Sequence, residues 1–578
     1  MHFLPNSLRR TSIATIVLCS TCSPSFPTFA QSTAQQIDDQ QQRLQRERTQ
    51  DQLRRAAPDT SVLTPFAADV DVGQLPRDEQ PCFAIRDVTL SGERAAEFQW
   101  ALPAADLNGE QADPVSAHCV GAKGINTILG RVQNAIIARG FATTRVVAQP
   151  QDVSKGTLAL TLVPGVIHAI KVQAEPQRAI NGDQALALSP NALLNTRDID
   201  QSLENLKRIP GADANIDIVP ATGAGPGQSD LNIRYQQDKF WRISLGLDNG
   251  GSESTGPYQG SMTLSADNWL GLQELLYVTL NHSLGGDSPG PGNTRGNTVY
   301  FSMPWSYNVV SLSASHSSYS QTVAGLTTDI VYSGKSSNAD LKLSRMVYRN
   351  QNAKTKLSLG AFARDANSYI DGLEVEVQRK ATGGWQLGID HESALEGGKW
   401  AAGLNYKRGT GAFGSLRDAG ELFGETNSRF RLLTANASIE KKFNNGGKQW
   451  QVSSHWHAQT HGTRLTTSDW FSIGGRYSVR GFDGRQALSA EAGWTLRNEL
   501  GVDLVPQAAQ AYFALDLGSV HGPSAALLTG RSLAGAALGL RGQQGAWSYD
   551  ISVAAPIAHP EGFRSSSPTY AFNLNVAF

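Results

Sequence analysis

The sequence has no surplus of either charge. Lys plus Arg number 50 and Asp plus Glu 51, a formal net charge of −1. That argues against a nucleic-acid binder, which carries a basic excess or stripe. It also lacks long apolar runs. Beyond the N-terminus nothing approaches the roughly 18 residues of a membrane helix, and mean hydropathy is −0.29. A helical membrane protein is thereby excluded. Charge itself is scarce, at 17% of residues against about 25% in an ordinary soluble protein. No Gly-x4-Gly-Lys-Ser/Thr segment offers a phosphate cradle, so no ATP chemistry is implied. No Ser/His/Asp spacing looks catalytic, and the chain reads as a non-enzyme without cofactor. What these absences leave open is a transmembrane β-barrel, whose apolar band hides in alternate residues.

Cysteine is sparse, with four in 578 residues. Two of them, Cys19 and Cys22, fall in or beside residues 1–30, which read as a secretory signal. Arg9 and Arg10 give the positive start, Ile13–Cys19 the apolar core, and Thr28-Phe29-Ala30 the small-residue cleavage site. The mature chain keeps Cys82 and Cys119. In an oxidising compartment two lone cysteines of one small domain are expected to pair; two buried free thiols are the alternative. His118 has no second His or Cys nearby to complete a metal site. His455 and His457 share one face of a strand with His461 already in a loop, and they read as polar barrel residues rather than ligands.

Residues 31–57 are nearly all Gln, Arg, Asp and Glu, with Ile37, Leu44 and Leu53 as the only large apolar side chains. This is either a disordered leader or a helix without an apolar face, suited to a watery place. The proline-containing stretch 58–80 reads as an extended linker. From 81 to 163 the pattern is that of a small α/β module: a strand at Phe83–Leu90, a helix at Ile125–Arg139 ended by Gly140, and strands at Thr144–Ala148 and Thr157–Val163. Residues 164–236 repeat the order, with a strand at Val166–Val172, a helix at Arg197–Arg208 and strands at Ala214–Val219 and Ser229–Tyr235.

From Lys239 onward the period is two. Trp241, Ile243, Leu245 and Leu247 alternate with Arg242, Ser244, Gly246 and Asp248. The C-terminal Tyr570, Phe572, Leu574, Val576 and Phe578 alternate with small and amide residues. One apolar and one polar face fit lipid outside and water inside. Short turns (Asn350–Ala353, Asn444–Lys448) alternate with long loops (Gly285–Thr298, Gly411–Ser428, Thr460–Arg485), as in outer-membrane barrels. The count is about 16 antiparallel strands over 239–578.

At this point the chain resembles the TpsB family, the outer-membrane transporters of two-partner secretion, which are relatives of the BamA-type assembly proteins. The first module carries Pro81-Cys82-Phe83 and Gly140-Phe141-Ala142-Thr143-Thr144-Arg145-Val146, similar to the family's first POTRA (polypeptide-transport-associated) domain. Asp198-Ile199-Asp200-Gln201-Ser202-Leu203-Glu204-Asn205-Leu206 with Arg208 looks like the second. Asp248-Asn249-Gly250-Gly251 resembles the start of the barrel. Val479-Arg480-Gly481-Phe482 matches the superfamily's signature loop, and Phe513-Ala514-Leu515-Asp516 the strand that receives it.

The resemblance implies a transmembrane β-barrel preceded by two periplasmic POTRA domains and an N-terminal helix that plugs the pore. It implies a partner too: an unfolded TpsA-type exoprotein (adhesin, haemolysin or toxin), exported without ATP from the periplasm through the outer membrane, with outer-membrane lipid around the barrel and no nucleic acid. Thr143, Thr144, Arg145 and Arg208 are then candidate partner-binding positions. An outer-membrane insertase of BamA type, or less so a porin-type channel, is the competing reading.

One expectation stands on residues alone. Arg480 sits between Val479 and Gly481-Phe482, and a guanidinium folded into a loop needs a carboxylate. Asp516 has the lumen parity of its strand, because Phe513, Leu515 and Leu517 take the other face. A bidentate Arg480–Asp516 pair would pin the loop 460–485 inside the pore.

Overall fold

The computed structural model describes residues 28–56 and 73–578, apart from 110, 177–179, 181–182, 287–289, 326, 425 and 507, and describes the side chains of the first helix from 37 to 54. The signal assigned to 1–30 lies almost wholly outside the described residues, as do residues 58–72 of the expected linker. Residues 73–80 are not a free linker. Leu75 is buried in the first module and its N–H donates to Asp113 Oδ2 at 2.9 Å. The Glu79 carboxylate accepts from the N–H groups of Gly121, Lys123 and Gly124 at 2.7–2.9 Å. A helix start leaves such donors unsatisfied, and Glu79 caps the helix Ala122–Ala138 from outside it.

That helix covers a three-stranded sheet in which Asp87–Gly92 runs parallel to the central Thr157–Val163 and Arg145–Ala148 lies antiparallel on its other side. Ile128, Val132 and Ile136 meet Leu158 and Leu160 in its core. The strand expected at Phe83–Leu90 is broken: Phe83–Ala84 pairs instead with Cys119–Val120, and Ile85 turns into the core. A 3-10 stretch, Ala95–Asp106, buries Phe98, Ala101 and Ala105 without the helical period that would reveal it in the sequence.

The second module repeats the topology. Val166–Glu175 is parallel to Gln228–Gln237, Ala212–Pro220 is antiparallel to it, and the helix Thr196–Lys207 packs beside them.

Sixteen strands in sequence order then close a barrel, from Trp241–Asp248 to Thr569–Ala577, with the two-residue piece Leu373–Glu374 extending one hairpin. First and last strands are antiparallel neighbours from Ser244↔Ala577 to Asp248↔Asn573. The outer face is apolar, with Leu245, Leu264, Leu341, Leu359, Leu404 and Leu538 all exposed.

Loop limits move. The strand Asn293–Trp305 begins inside the expected loop 285–298, with His282 opposite Arg295. The strand Lys448–His461 runs past Thr460, and the next, Ala492–Val505, begins after Arg485. Beyond the bilayer both strand faces meet water, so the ladder continues where alternation stops. The loop 462–491 carries its own hairpin, Phe471–Ile473 against Leu488–Ala490.

Candidate functional site

The loop 462–491 folds into the barrel and buries an apolar knot of its own. Val479 and Phe482 pack with Phe471, Ile473, Leu488 and Leu533, and the Phe482 ring meets Phe563 edge-on with centroids 5.5 Å apart. Gly481 has φ +103°, and a Cβ there would lie 2.5 Å from the Ala555 carbonyl oxygen. On the facing wall a Cβ at Gly535 would strike the Arg480 carbonyl oxygen. Glycine on both sides lets two backbones approach.

The structure brings Arg480 and Asp516 together. Arg480 Nε and Nη2 donate to Asp516 Oδ2 and Oδ1 at 2.6 and 2.7 Å, and the Arg480 backbone N–H adds a third bond at 3.0 Å. Asp516 is fully buried. Phe513 stays on the outer face, 46% exposed. Sequence reasoning missed the rest of this network. Glu499 accepts from Arg480 Nη1 and pairs with Arg541 at 2.9 Å, and Arg497 Nε lies 3.6 Å from Asp516. These residues share the lumen parity of neighbouring strands, which is the signal that could have found them.

The helix Thr28–Ala56 occupies the lumen and is held by polar contacts. Lys380 Nζ meets Asp39 at 2.7 Å, Tyr319 donates to Asp38 at 2.9 Å, and Arg48 Nη2 meets Asp248 at 2.8 Å. It also touches the loop. Gln40 donates to the Gly484 carbonyl at 2.8 Å and Arg46 to the Ser468 carbonyl. Asp469, in the same loop, receives Arg364 from the wall at 2.7 Å. Asp248 and Asn249 therefore serve the interior: Asn249 Oδ1 accepts from Phe572 N–H at 2.9 Å across the seam of first and last strands and from Arg476 of the loop at 3.2 Å.

The candidate partner-binding residues separate. Arg145 is exposed on an edge strand. Thr144 is buried and its hydroxyl accepts from Gly165 N–H at 3.0 Å. A Cβ on Gly165 would strike the Thr143 hydroxyl. With Thr196 N–H donating to the Gly140 carbonyl at 2.8 Å, this segment forms the joint between the two modules rather than an open face.

Arg208 is likewise buried. It donates to Ser302 Oγ at 2.7 Å, anchoring the second module to the barrel. The preceding helix completes the dock. Glu204 pairs with Arg349 at 2.9 Å and Lys354 at 3.4 Å, Asn205 donates to the Ser306 carbonyl at 2.8 Å, and Tyr307 donates to Asp198. Burial alone would raise the Glu204 carboxyl, but Lys354, Lys356 and Arg349 hold it below its ordinary range.

The disulfide Cys82–Cys119 is formed, 37 residues apart in sequence. It fixes the strand pair Phe83–Ala84 and Cys119–Val120 at the base of the first module.

Comparison with known proteins agrees with this architecture. Residues 83–165 match a POTRA domain of ShlB type and residues 166–220 a second POTRA domain. The chain is 32% identical over 518 residues to the outer membrane transporter CdiB-2 of Burkholderia pseudomallei, covering 86% of this chain and 87% of the relative. It is 26% identical to the hemolysin transporter protein ShlB of Serratia marcescens, over 74% and 73% of the two chains. The solved structure of CdiB from Acinetobacter baumannii superposes with a TM-score of 0.81 at 27% identity, covering 94% of this chain and 99% of that one. Residues 227–542 match the haemolysin secretion/activation family ShlB/FhaC/HecB, and the chain belongs to that family of outer-membrane transporters.

Proposed function

We propose that this transporter exports one large, unfolded exoprotein of the TpsA class across the outer membrane, and that the helix 28–56 and the loop 462–491 are the two elements that occupy its path. The observation that carries this reading is how the lumen is filled. Asp38, Asp39, Gln41, Gln42 and Arg48 are all at most 8% exposed, yet Asp38, Asp39, Gln41 and Arg48 meet the wall through hydrogen bonds or ion pairs, and Gln42 bonds Asp38 within the helix. A polar interface in a hydrated pore can exchange its partners for water or for another chain at little net cost. An apolar plug could not.

The incoming chain is recognised upstream. Sheet edges accept an extended segment by backbone hydrogen bonds, and the Val166–Glu175 edge presents the exposed Lys171, Val172 and Gln173. In the first module Arg145 lies on the other, antiparallel edge, where Gln133 already occupies the Val146 N–H. Arg480 and Asp516 act inside the pore by holding the loop tip. Membership of an exporter family favours this reading over a BamA-type insertase or a passive porin.

The test is coexpression with a large exoprotein of the TpsA class, scored by its appearance outside the cell. Removing residues 81–236 should abolish release while the barrel still inserts, and release undiminished by that deletion would refute recognition by the modules. Deleting 31–57 should raise ion conductance in planar bilayers, and an unchanged conductance would count against a plug.

A further inference from the structure

We propose that the barrel carries a binding site for the phosphate groups of an outer-leaflet lipid, built on Arg408 and Arg431. The two lie directly opposite each other on adjacent antiparallel strands. Both face outward. Lys407 before Arg408 points inward onto the Phe362 ring, and Leu432 after Arg431 belongs to the interior cluster with Phe362 and Phe430. Like charges at directly opposed positions of a sheet repel. Among the described residues neither side chain makes an ion pair. The nearby loop carboxylates are committed elsewhere: Glu421 to the N–H of Ser428 at 2.6 Å and to its hydroxyl, and Asp418 to Gly420 N–H at 2.9 Å and to Thr426. Arg429, in the turn two residues before Arg431, is exposed as well.

Depth selects a lipid as the source of the anion. Trp400 lies on the same face of the strand as Arg408, eight residues nearer the end where the modules dock. At about 3.4 Å per residue and a strand tilt of about 40° that is about 20 Å of height, close to the roughly 25 Å apolar band of such barrels. The arginines therefore stand at the outer boundary of the bilayer. Beside and below them the surface is aromatic. Trp385 is opposite Arg408 on the next strand, and its ring centroid lies 5.6 Å from that of Tyr406. Above, Phe413 is 64% exposed and lies against Gly383 of the same outer face, where a Cβ would come within 3.0 Å of its ring. Guanidinium groups over an aromatic and aliphatic floor match an amphiphile with phosphates above acyl chains.

The test uses the full-length chain extracted from an outer membrane in mild detergent, with retained bisphosphorylated lipid A quantified per barrel by mass spectrometry. The wild-type chain should hold it through extensive washing. R408Q/R431Q should retain about tenfold less or lower, since each charge-assisted contact is worth roughly a factor of ten, while still migrating as a folded barrel in unheated gels. R417Q, on the adjoining loop, should retain lipid like wild type. Added to delipidated wild-type barrel, dephosphorylated lipid A should bind about tenfold less or lower than the bisphosphorylated form, and inorganic phosphate in excess should not displace the latter. Equal retention by the double variant, equal binding of the dephosphorylated lipid, a matching loss in R417Q, or displacement by inorganic phosphate would each overturn the proposal. The lipid comparison stands even if the double variant does not assemble.

Discussion

Replacing Asp516 by Asn leaves shape almost intact and removes one charge from the most buried position of the pore network. In the wild type that carboxylate accepts two guanidinium bonds and one backbone bond from Arg480, with Arg497 at 3.6 Å. Breaking a buried pair from one side costs about 3–5 kcal/mol when the remaining charge has nowhere to turn. Here Arg480 keeps Glu499 and its side chain is 11% exposed, so about 2–3 kcal/mol is the better figure. The hairpin Phe471–Ile473 against Leu488–Ala490 and its apolar packing remain, so the loop base stays in place and only its tip is freed. Hydrogen exchange at amides 479–482 should accelerate roughly 30- to 150-fold, following a factor of ten per 1.4 kcal/mol. Exchange in the flanking strands Ala492–Val505 and Ala509–His521 should be unchanged. Export should fall at least tenfold with normal barrel assembly, and Arg480→Ala should behave alike. In a double-mutant cycle the two changes should cost little more together than either alone. Unaltered exchange at the tip, or fully additive effects, would refute the idea that this pair holds the loop.

Three further outcomes follow from the same geometry. Reversing two helix charges, Asp39→Lys with Arg48→Glu, places like charges against Lys380 and Asp248 and should open the pore without truncation, read as raised single-channel conductance. Glu204→Gln takes a carboxylate from Arg349 and Lys354, both nearly inaccessible; Arg349 keeps the Gln201 side-chain oxygen at 2.8 Å and Lys354 keeps Glu392 at 3.8 Å, so docking of the second module should weaken by about 2–3 kcal/mol, seen as faster proteolysis near Thr196–Lys207. In the wild type the Glu204 carboxyl is depressed, so its contribution is fully present above the ordinary carboxylate range near pH 4.3 and is lost as pH falls through the lower docked value. The variant should show no such acid sensitivity. Removing the disulfide with Cys82→Ser and Cys119→Ser frees a 37-residue span, worth up to about 4 kcal/mol by chain entropy. Exchange should rise across residues 81–163 and hardly at all in the barrel.

Which parts of this molecule were legible in its sequence depended on what each residue's opposite face meets. Asp516 could be assigned to the lumen because Phe513 and Leu515 fix the lipid side of its strand. Glu499 and Arg541 obey the same parity. What joins them to Arg480 is the register that sets Glu499 opposite Ala514 and Asp516 opposite Gly535, and single-strand alternation carries no register. Strand ends were misplaced where alternation ceases. Asn293–Thr298 is polar on both faces because both are wet, yet its backbone still pairs.

The helix Thr196–Lys207 was the harder case. Asp198, Gln201, Glu204 and Asn205 carry no apolar signal, yet Gln201, Glu204 and Asn205 are buried in the fold and Asp198 receives Tyr307. They meet the Ser306–Tyr307 turn and the start of the strand Ala353–Ile370, where the barrel offers carbonyls and cations rather than apolar side chains. The same inversion governs the plug. In this protein the lipid-facing exterior takes the leucines, so internal surfaces are joined by polar groups, and hydropathy cannot separate a buried polar contact from a surface in water. Charge complementarity can. Glu204 faces Arg349 and Lys354, Asp39 faces Lys380, and Arg48 faces Asp248. These links of helix and second module to the barrel are pairings of charges that substitution can reverse, which makes compensating charge reversals the natural means of separating docking from export.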